Sequence, residues 1–326
     1  MSVQRPERRV ARGAVVVGVG EVAGSRAAVA WAARQAAWRG AELQLVSAVP
    51  LPVTGDAASV HHALRITEEA ERAARAALDE LSEQVRAEHP GLVVHRSVPR
   101  DHPRHALRRA AEGAALLVTG ARRRSRLRSG AFGGFQLGST SLYAASHARC
   151  PVAVVREDAP VGARGVVVGH DGSRAADAAV DAAAALARAA GTAVRVLRVW
   201  AYHPAGSWLP PEEDRARARE LLEEEQRRSL EEVCARARAA HPGVEVTGEL
   251  VEDAHPSDAL LTAAEHAQLL VVGARGHGAF LTALLGSTSH DLLHRSTGPV
   301  VVVPDAARAH EVAGRHREGT PVAVGD

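Results

Sequence analysis

The run V-V-G-A-R-G-H-G-A-F-L-T-A-L-L-G-S-T-S, from Val271 to Ser289, gathers residue types suited to holding an anion. Gly273 and Gly276 follow an apolar stretch; lacking a Cβ, they are expected to reach positive φ and to let backbone approach a ligand closely. Gly286 and Ser287 then open a stretch with helical character. There the free backbone N–H groups, the hydroxyls of Ser287, Thr288 and Ser289 and the positive end of the helix dipole meet at one point, and phosphate is their natural occupant. A plain strand-ending turn with Ser287 as an ordinary helix cap uses the same residues. A second loop, Gly169-His170-Asp171-Gly172-Ser173, ends another apolar run and offers a carboxylate.

The elements that must position these loops occur twice. GAVVVGVGEVAGSRAAVAWAARQA from Gly13 is echoed by GVVVGHDGSRAADAAVDAAAALA from Gly165, DHPRHALRRAAEGAALLVTGAR from Asp101 by DAHPSDALLTAAEHAQLLVVGAR from Asp253, and GAFGGFQLGSTS from Gly130 by GAFLTALLGSTS from Gly278. Offsets of 151, 153 and 148 residues mean a duplicated domain rather than a solenoid. Expected divisions are a basic tail over 1–12, a first domain over 13–156, a linker over 157–162, a second domain over 163–304 and a disordered tail over 305–326.

In the second copy, Val166 to Val168, Val194 to Trp200, Val244 to Val251, Leu269 to Val272 and Val300 to Val303 read as strands, with helices between them. Continuous Val/Leu strands alternating with helices predict a parallel sheet covered on both faces. The class is α/β: two tandem, doubly wound, five-stranded parallel-sheet domains. In such sheets the ligand crevice lies where strand order reverses, at the ends of the first and fourth strands, which is where the two loops fall.

Composition narrows the function classes. The chain has 326 residues and a net charge of +2, so nucleic-acid binding has no global electrostatic support. The two cysteines, Cys150 and Cys234, form neither a disulfide framework nor a zinc pair, which fits a reducing cytoplasm. The apolar run Ala14 to Val19 is too brief for a signal segment or a membrane span. No lysine is present, which excludes the Lys-dependent P-loop and the kinase strand lysine. The Gly18-Val19-Gly20-Glu21-Val22-Ala23-Gly24 run imitates a dinucleotide fingerprint, but Ala48-Val49-Pro50 supplies no acid for a ribose. His290 and His294, at i and i+4, read as solvent-facing rather than as metal ligands.

The spacing G-x2-G-x9-G-S at Gly273, Gly276, Gly286 and Ser287 resembles the nucleotide loop of the universal stress protein family. The resemblance extends to V-V-V-G-H-D-G-S at Val166 to Ser173, to the V-R-V-L-R-V strand at Val194 to Val199, to His255-Pro256 and to the closing strand from Pro299 to Pro304. It covers nearly the whole chain twice, as in tandem, actinobacterial-type members. It implies the Rossmann-like, adenine nucleotide alpha-hydrolase-like form of the fold. It also implies ATP in the second domain, with magnesium accompanying the phosphates and AMP or cyclic AMP as alternative ligands. The adenine is expected near Asp171 and Val199 with Val272 lining its pocket. Ribose and phosphates are expected against Gly273, Gly276, Gly286, Ser287, Thr288 and Ser289, with Gly169 and His170 completing the site. Pairing of the fifth strands, Val152 to Val155 with Val300 to Val303, is implied within the chain, and further homodimerisation is open.

The first copy departs from that pattern. Gly20 stands at the position of Asp171 and Ala48 at that of Val199; Arg123 takes the second glycine position, and Gly138 follows Gly120 by 18 residues where Gly286 follows Gly273 by 13. One nucleotide per chain is expected. The Arg122 to Arg128 run reads as a solvated loop. Functionally the chain is expected to be a nucleotide-responsive stress or dormancy regulator acting through protein contacts, with no protein partner identified. A slow ATPase or phosphotransferase, for which His170, His277 and Ser287 are the nearest residues, and a non-binding dimerisation scaffold are the alternatives.

Overall fold

A computed structural model describes residues 12–51, 57–121, 137–156, 162–202, 212–276 and 285–305. Residues 1–11 and 306–326 of the expected tails, the arginine run with Arg123, His277 and residues 157–161 of the expected linker lie outside the described residues.

The first copy runs β1 (Val15–Gly18), α1 (Val22–Arg39), β2 (Leu43–Val46), α2 (Ala57–Glu88), β3 (Val94–Ser97), α3 (Pro103–Ala110), β4 (Leu116–Gly120), α4 (Ser139–His147) and β5 (Val152–Val155). The second runs β6 (Val166–Gly169), α5 (Arg174–Ala190), β7 (Val194–Trp200), α6 (Glu212–Ala240), β8 (Val246–Glu252), α7 (Pro256–Ala264), β9 (Leu269–Gly273), α8 (Ser287–Arg295) and β10 (Val300–Val303). Helices α1 and α5 each end on a glycine in the left-handed region, Gly40 (φ 61°) and Gly191 (φ 63°). Only glycine takes that conformation without a Cβ penalty, so the sequence stops both helices at matching points.

The strands read as unbroken apolar runs because both faces are covered. Helices α1, α2, α5 and α6 bury one face through Ala32, Leu78, Leu186 and Leu230. Helices α3, α4, α7 and α8 bury the other through Leu107, Ala144, Leu260 and Leu292. Each buried Val or Leu contributes about 1.5–3 kcal/mol before conformational entropy is counted.

Strand order is β3-β2-β1-β4-β5-β10-β9-β6-β7-β8, parallel within each copy. The copies meet through an antiparallel pair, with Val300 opposite Val154, Val301 opposite Ala153 and Val302 opposite Val152. Two hydrophobic edges thereby pair with each other instead of facing water. Arg156 reinforces the seam: one of its guanidinium nitrogens donates to the Leu293 carbonyl at 2.5 Å. Strand order reverses beside β1 and β4, and again beside β6 and β9, so each copy forms a crevice at those strand ends. Among the described residues no helix is long and apolar enough to cross a membrane.

Candidate functional site

Strand β6 ends on Gly169 and delivers His170 and Asp171 as the next two residues. Gly172 turns the chain at φ 89°, and Ser173 begins α5. The Asp171 Oδ1 accepts from the Ser173 backbone N–H at 3.0 Å, and Ser173 Oγ accepts from Ala176 N–H at 3.2 Å. This nested turn and cap fix the Asp171 backbone. Its carboxylate meets the other loop: a Cβ added at Gly276 would lie 2.1 Å from Asp171 Oδ2. The carboxylate and the glycine, 105 residues apart in sequence, are thus in contact at the strand-order reversal.

Gly273 and Gly276 in the fourth-strand loop serve space rather than dihedral freedom. Gly273, Gly276 and Gly286 do not adopt positive φ, contrary to the expectation for the first two. At Gly273 a Cβ would lie 2.9 Å from the Ala175 carbonyl carbon, so that glycine lets α5 approach β9. At Gly169 it would press on Leu260 and Val272.

The start of α8 is open. Its N-cap is Gly286, not Ser287, and no side chain caps it. The first-turn N–H groups of a helix have no partner within it, so a glycine cap leaves them available to an anion. The loop before it is held down instead: Gly286 N–H donates to the Ala274 carbonyl at 2.8 Å and Ser289 Oγ donates to the same carbonyl at 3.1 Å. Ser289 is buried and its hydroxyl proton is engaged in shaping the loop; Ser287 is exposed and Thr288 half-buried. Val272 and Val199 belong to the apolar layer under α7 and α8, Val272 buried and Val199 partly so.

His170 differs from the expectation of a ligand contact. Only 2% of its side chain is exposed, so it offers a ligand no surface. Its Nε2 lies 3.2 Å from Asp177 Oδ1 and its Nδ1 3.3 Å from an Arg198 nitrogen. Burial pushes its pKa below the ordinary value of 6.5, with Arg198 adding to the shift and Asp177 opposing it. Arg198 also donates to Gln226 Oε1 of α6 at 2.7 Å, and Arg236 of α6 donates to Asp177 at 2.8 Å. Sequence reasoning passed over Arg198; its signal was a second arginine, after Arg195, inside an otherwise apolar strand.

A cavity of about 680 Å³ lies elsewhere in this copy, over β7 and β8 beside α7. Leu197 and Val251 floor it and the Arg195–Glu249 ion pair (3.0 Å) crosses it; it touches neither loop. The meeting of Asp171, Gly276 and the α8 start, unlike this cavity, coincides with the reversal of strand order. His290 and His294 occupy exposed positions of α8, with ring centroids 4.6 Å apart. Among the described residues no three His, Cys, Asp or Glu side chains gather as a metal site.

A family model described as the universal stress protein family matches residues 12–156 and again 163–304. The chain belongs to the universal stress protein family. A universal stress protein of Mycolicibacterium smegmatis is 34% identical over 299 residues, covering 89% of this chain and 96% of the relative. One of Mycobacterium tuberculosis is 32% identical over 316 residues, covering 88% and 94%. The solved structure of a universal stress protein from Archaeoglobus fulgidus superposes with a TM-score of 0.62 at 20% identity, over 90% of this chain and 99% of that one, a likeness of fold.

Proposed function

We infer that the second copy of this universal stress protein binds ATP in the crevice between the β6 and β9 loops, and that the chain acts as a nucleotide-responsive regulator through protein contacts. The observation that carries the reading is the contact of Asp171 with Gly276, beside an α8 start whose glycine cap leaves backbone donors open. In this reading the carboxylate accepts hydrogen bonds from the adenosine moiety. Val199 and Val272 give the base an apolar wall, and the N–H groups of Ser287, Thr288 and Ser289 receive the phosphates. Magnesium arrives with the triphosphate and needs no protein carboxylate cage.

Binding is favoured over turnover. A general base must reach the attacking water, and the imidazole of His170 is enclosed between Asp177 and Arg198. Nucleotide would act by mass action on whichever conformation holds it better, raising unfolding free energy by about 2.7 kcal/mol at a hundredfold excess over Kd.

Calorimetric titration of ATP, AMP and cyclic AMP into the wild-type chain tests the assignment, with phosphate release followed in parallel. Saturable ATP binding without release beyond the blank is expected. ATP binding that survives unchanged in Asp171→Ala removes the site, and steady phosphate release abolished by the same substitution replaces the regulator with an ATPase.

A further inference from the structure

Helix α1 carries Trp31, Arg34, Gln35 and Trp38 at the i, i+3, i+4, i+7 spacing that sets four side chains on one face. That face meets α5 of the second copy and the beginnings of its strands. Between them lies a hollow of about 120 Å³, lined across the seam by Leu186, Ala190, Val166, Leu269, Gln268 and Pro299. Gln35 is 4% exposed, and its Oε1 is buried with no hydrogen-bond partner.

The duplication supplies the control. With Gly40 and Gly191 closing the two helices, the matching positions of α5 are Ala182, Ala185, Leu186 and Ala189. Where α5 has leucine, α1 has a buried amide; where α5 has alanine, α1 has two indoles and a guanidinium. A buried acceptor with no donor is unfavourable, and native seams rarely keep one unless something fills its place. Indole faces take up flat rings, and an amide oxygen at their edge accepts from a hydroxyl or N–H. An enclosed space of about 150 Å³ holds benzene; this hollow is somewhat smaller and open beside Trp38, so it admits at most one ring, with part of it at the mouth.

We propose that this hollow is a binding site for a single-ring aromatic molecule carrying one hydroxyl or N–H donor. The ring lies against Trp31 and Trp38, and its donor bonds to Gln35 Oε1. Trp31 is buried and forms the inner wall; Trp38, 45% exposed, stands at the mouth. Val166 and Leu269 open β6 and β9, whereas the nucleotide loops follow the far ends of the same strands, so this occupant and ATP do not compete for space.

Phenol, with benzene as the same ring without a donor, tests the site on the full chain by following assigned tryptophan indole N–H signals. Phenol is expected to shift those of Trp31 and Trp38 saturably and to leave that of Trp200 in place. Gln35→Leu, which copies Leu186, should fold and weaken phenol about tenfold, the worth of one net hydrogen bond, while benzene binds it as it binds the wild type. Trp38→Ala, at an exposed position, should weaken both. ATP should leave phenol binding unchanged. Absence of any saturable shift, which makes the hollow a water pocket only, or equal phenol affinity in wild type and Gln35→Leu, overturns the proposal.

Discussion

At the end of β6 the chain reads Gly169-His170-Asp171-Gly172-Ser173, and at the end of β1 it reads Gly18-Val19-Gly20-Glu21-Val22. Around these loops many contacts are common to both copies. A Cβ on Gly169 would meet Leu260, and one on Gly18 would meet Leu107. Gly273 gives room to the Ala175 backbone of α5, and Gly120 to the Gly24 carbonyl of α1 at 3.0 Å. Ser289 Oγ donates to the Ala274 carbonyl, and Ser141 Oγ to that of Gly120. Among the described residues, what the second copy has alone is the Asp171 contact with Gly276, the side-chain cap of Ser173 and the His170 network; the N-cap of α1, Glu21, makes no side-chain cap. Gly20 stands where the second copy has Asp171, and a Cβ on it would meet none of the described residues within 4 Å, so the first copy lacks the acid. The shared features, among them the uncapped helix starts at Gly138 and Gly286, belong to the fold; of the unshared ones, the Asp171 contact with Gly276 is the one that points to the ligand.

The widest separation of the copies is expected from Gly276→Arg, which installs the residue that the first copy carries at Arg123. Its side chain displaces Asp171 and fills the crevice. ATP affinity should fall by at least about a hundredfold, the loss of a charged hydrogen bond plus steric exclusion, measured by calorimetry with the melting curve as a folding control.

Asp171→Ala should cost ATP about 10- to 100-fold. Gly276→Ala should cost a comparable amount without unfolding the chain, because its methyl group meets the rotatable end of Asp171 rather than backbone. The two substitutions disturb one contact, so the double variant should resemble either single one; additive losses would break the pairing.

Gly273→Ala and Gly120→Ala sharpen the other side of the comparison. Each pushes a methyl group against helix backbone, so each should destabilise by about 1–3 kcal/mol in denaturant unfolding, whether or not nucleotide binds nearby. An effect confined to Gly273 would make that glycine a ligand contact instead of a packing one.

The smallest effect concerns His170, whose counterpart is Val19. The folded pKa of His170 lies below 6.5, so as pH falls through that value the unfolded chain takes up the proton first and stability declines until the folded pKa is passed. His170→Val should flatten this part of the profile, seen as a smaller drop in unfolding midpoint between about pH 7.5 and about pH 5.5. An unchanged drop would place the titration elsewhere.

Much of the fold was legible because the chain was written twice. Apolar runs bounded by glycine and proline mark strands: Val194–Trp200 and Val300–Val303 form as the pattern predicts. Boundaries were less legible; β8 runs Val246–Glu252 where Val244 to Val251 was expected, because Val244 is held in a turn by His241. At the site, residue types and spacing named both loops, but not why the glycines are there. Crowding by Ala175 and Asp171 depends on a helix and a loop that are remote in sequence. The same holds for Arg198 and Asp177 around His170, and for Gln35, whose lack of a partner exists only once α1 packs against the second copy.

The most direct measurement is the number of ATP molecules bound per wild-type chain, titrated at protein concentrations well above Kd. One per chain, lost on Gly276→Arg, is the predicted result. Two per chain, or one that persists in Gly276→Arg, would contradict the asymmetry between the copies.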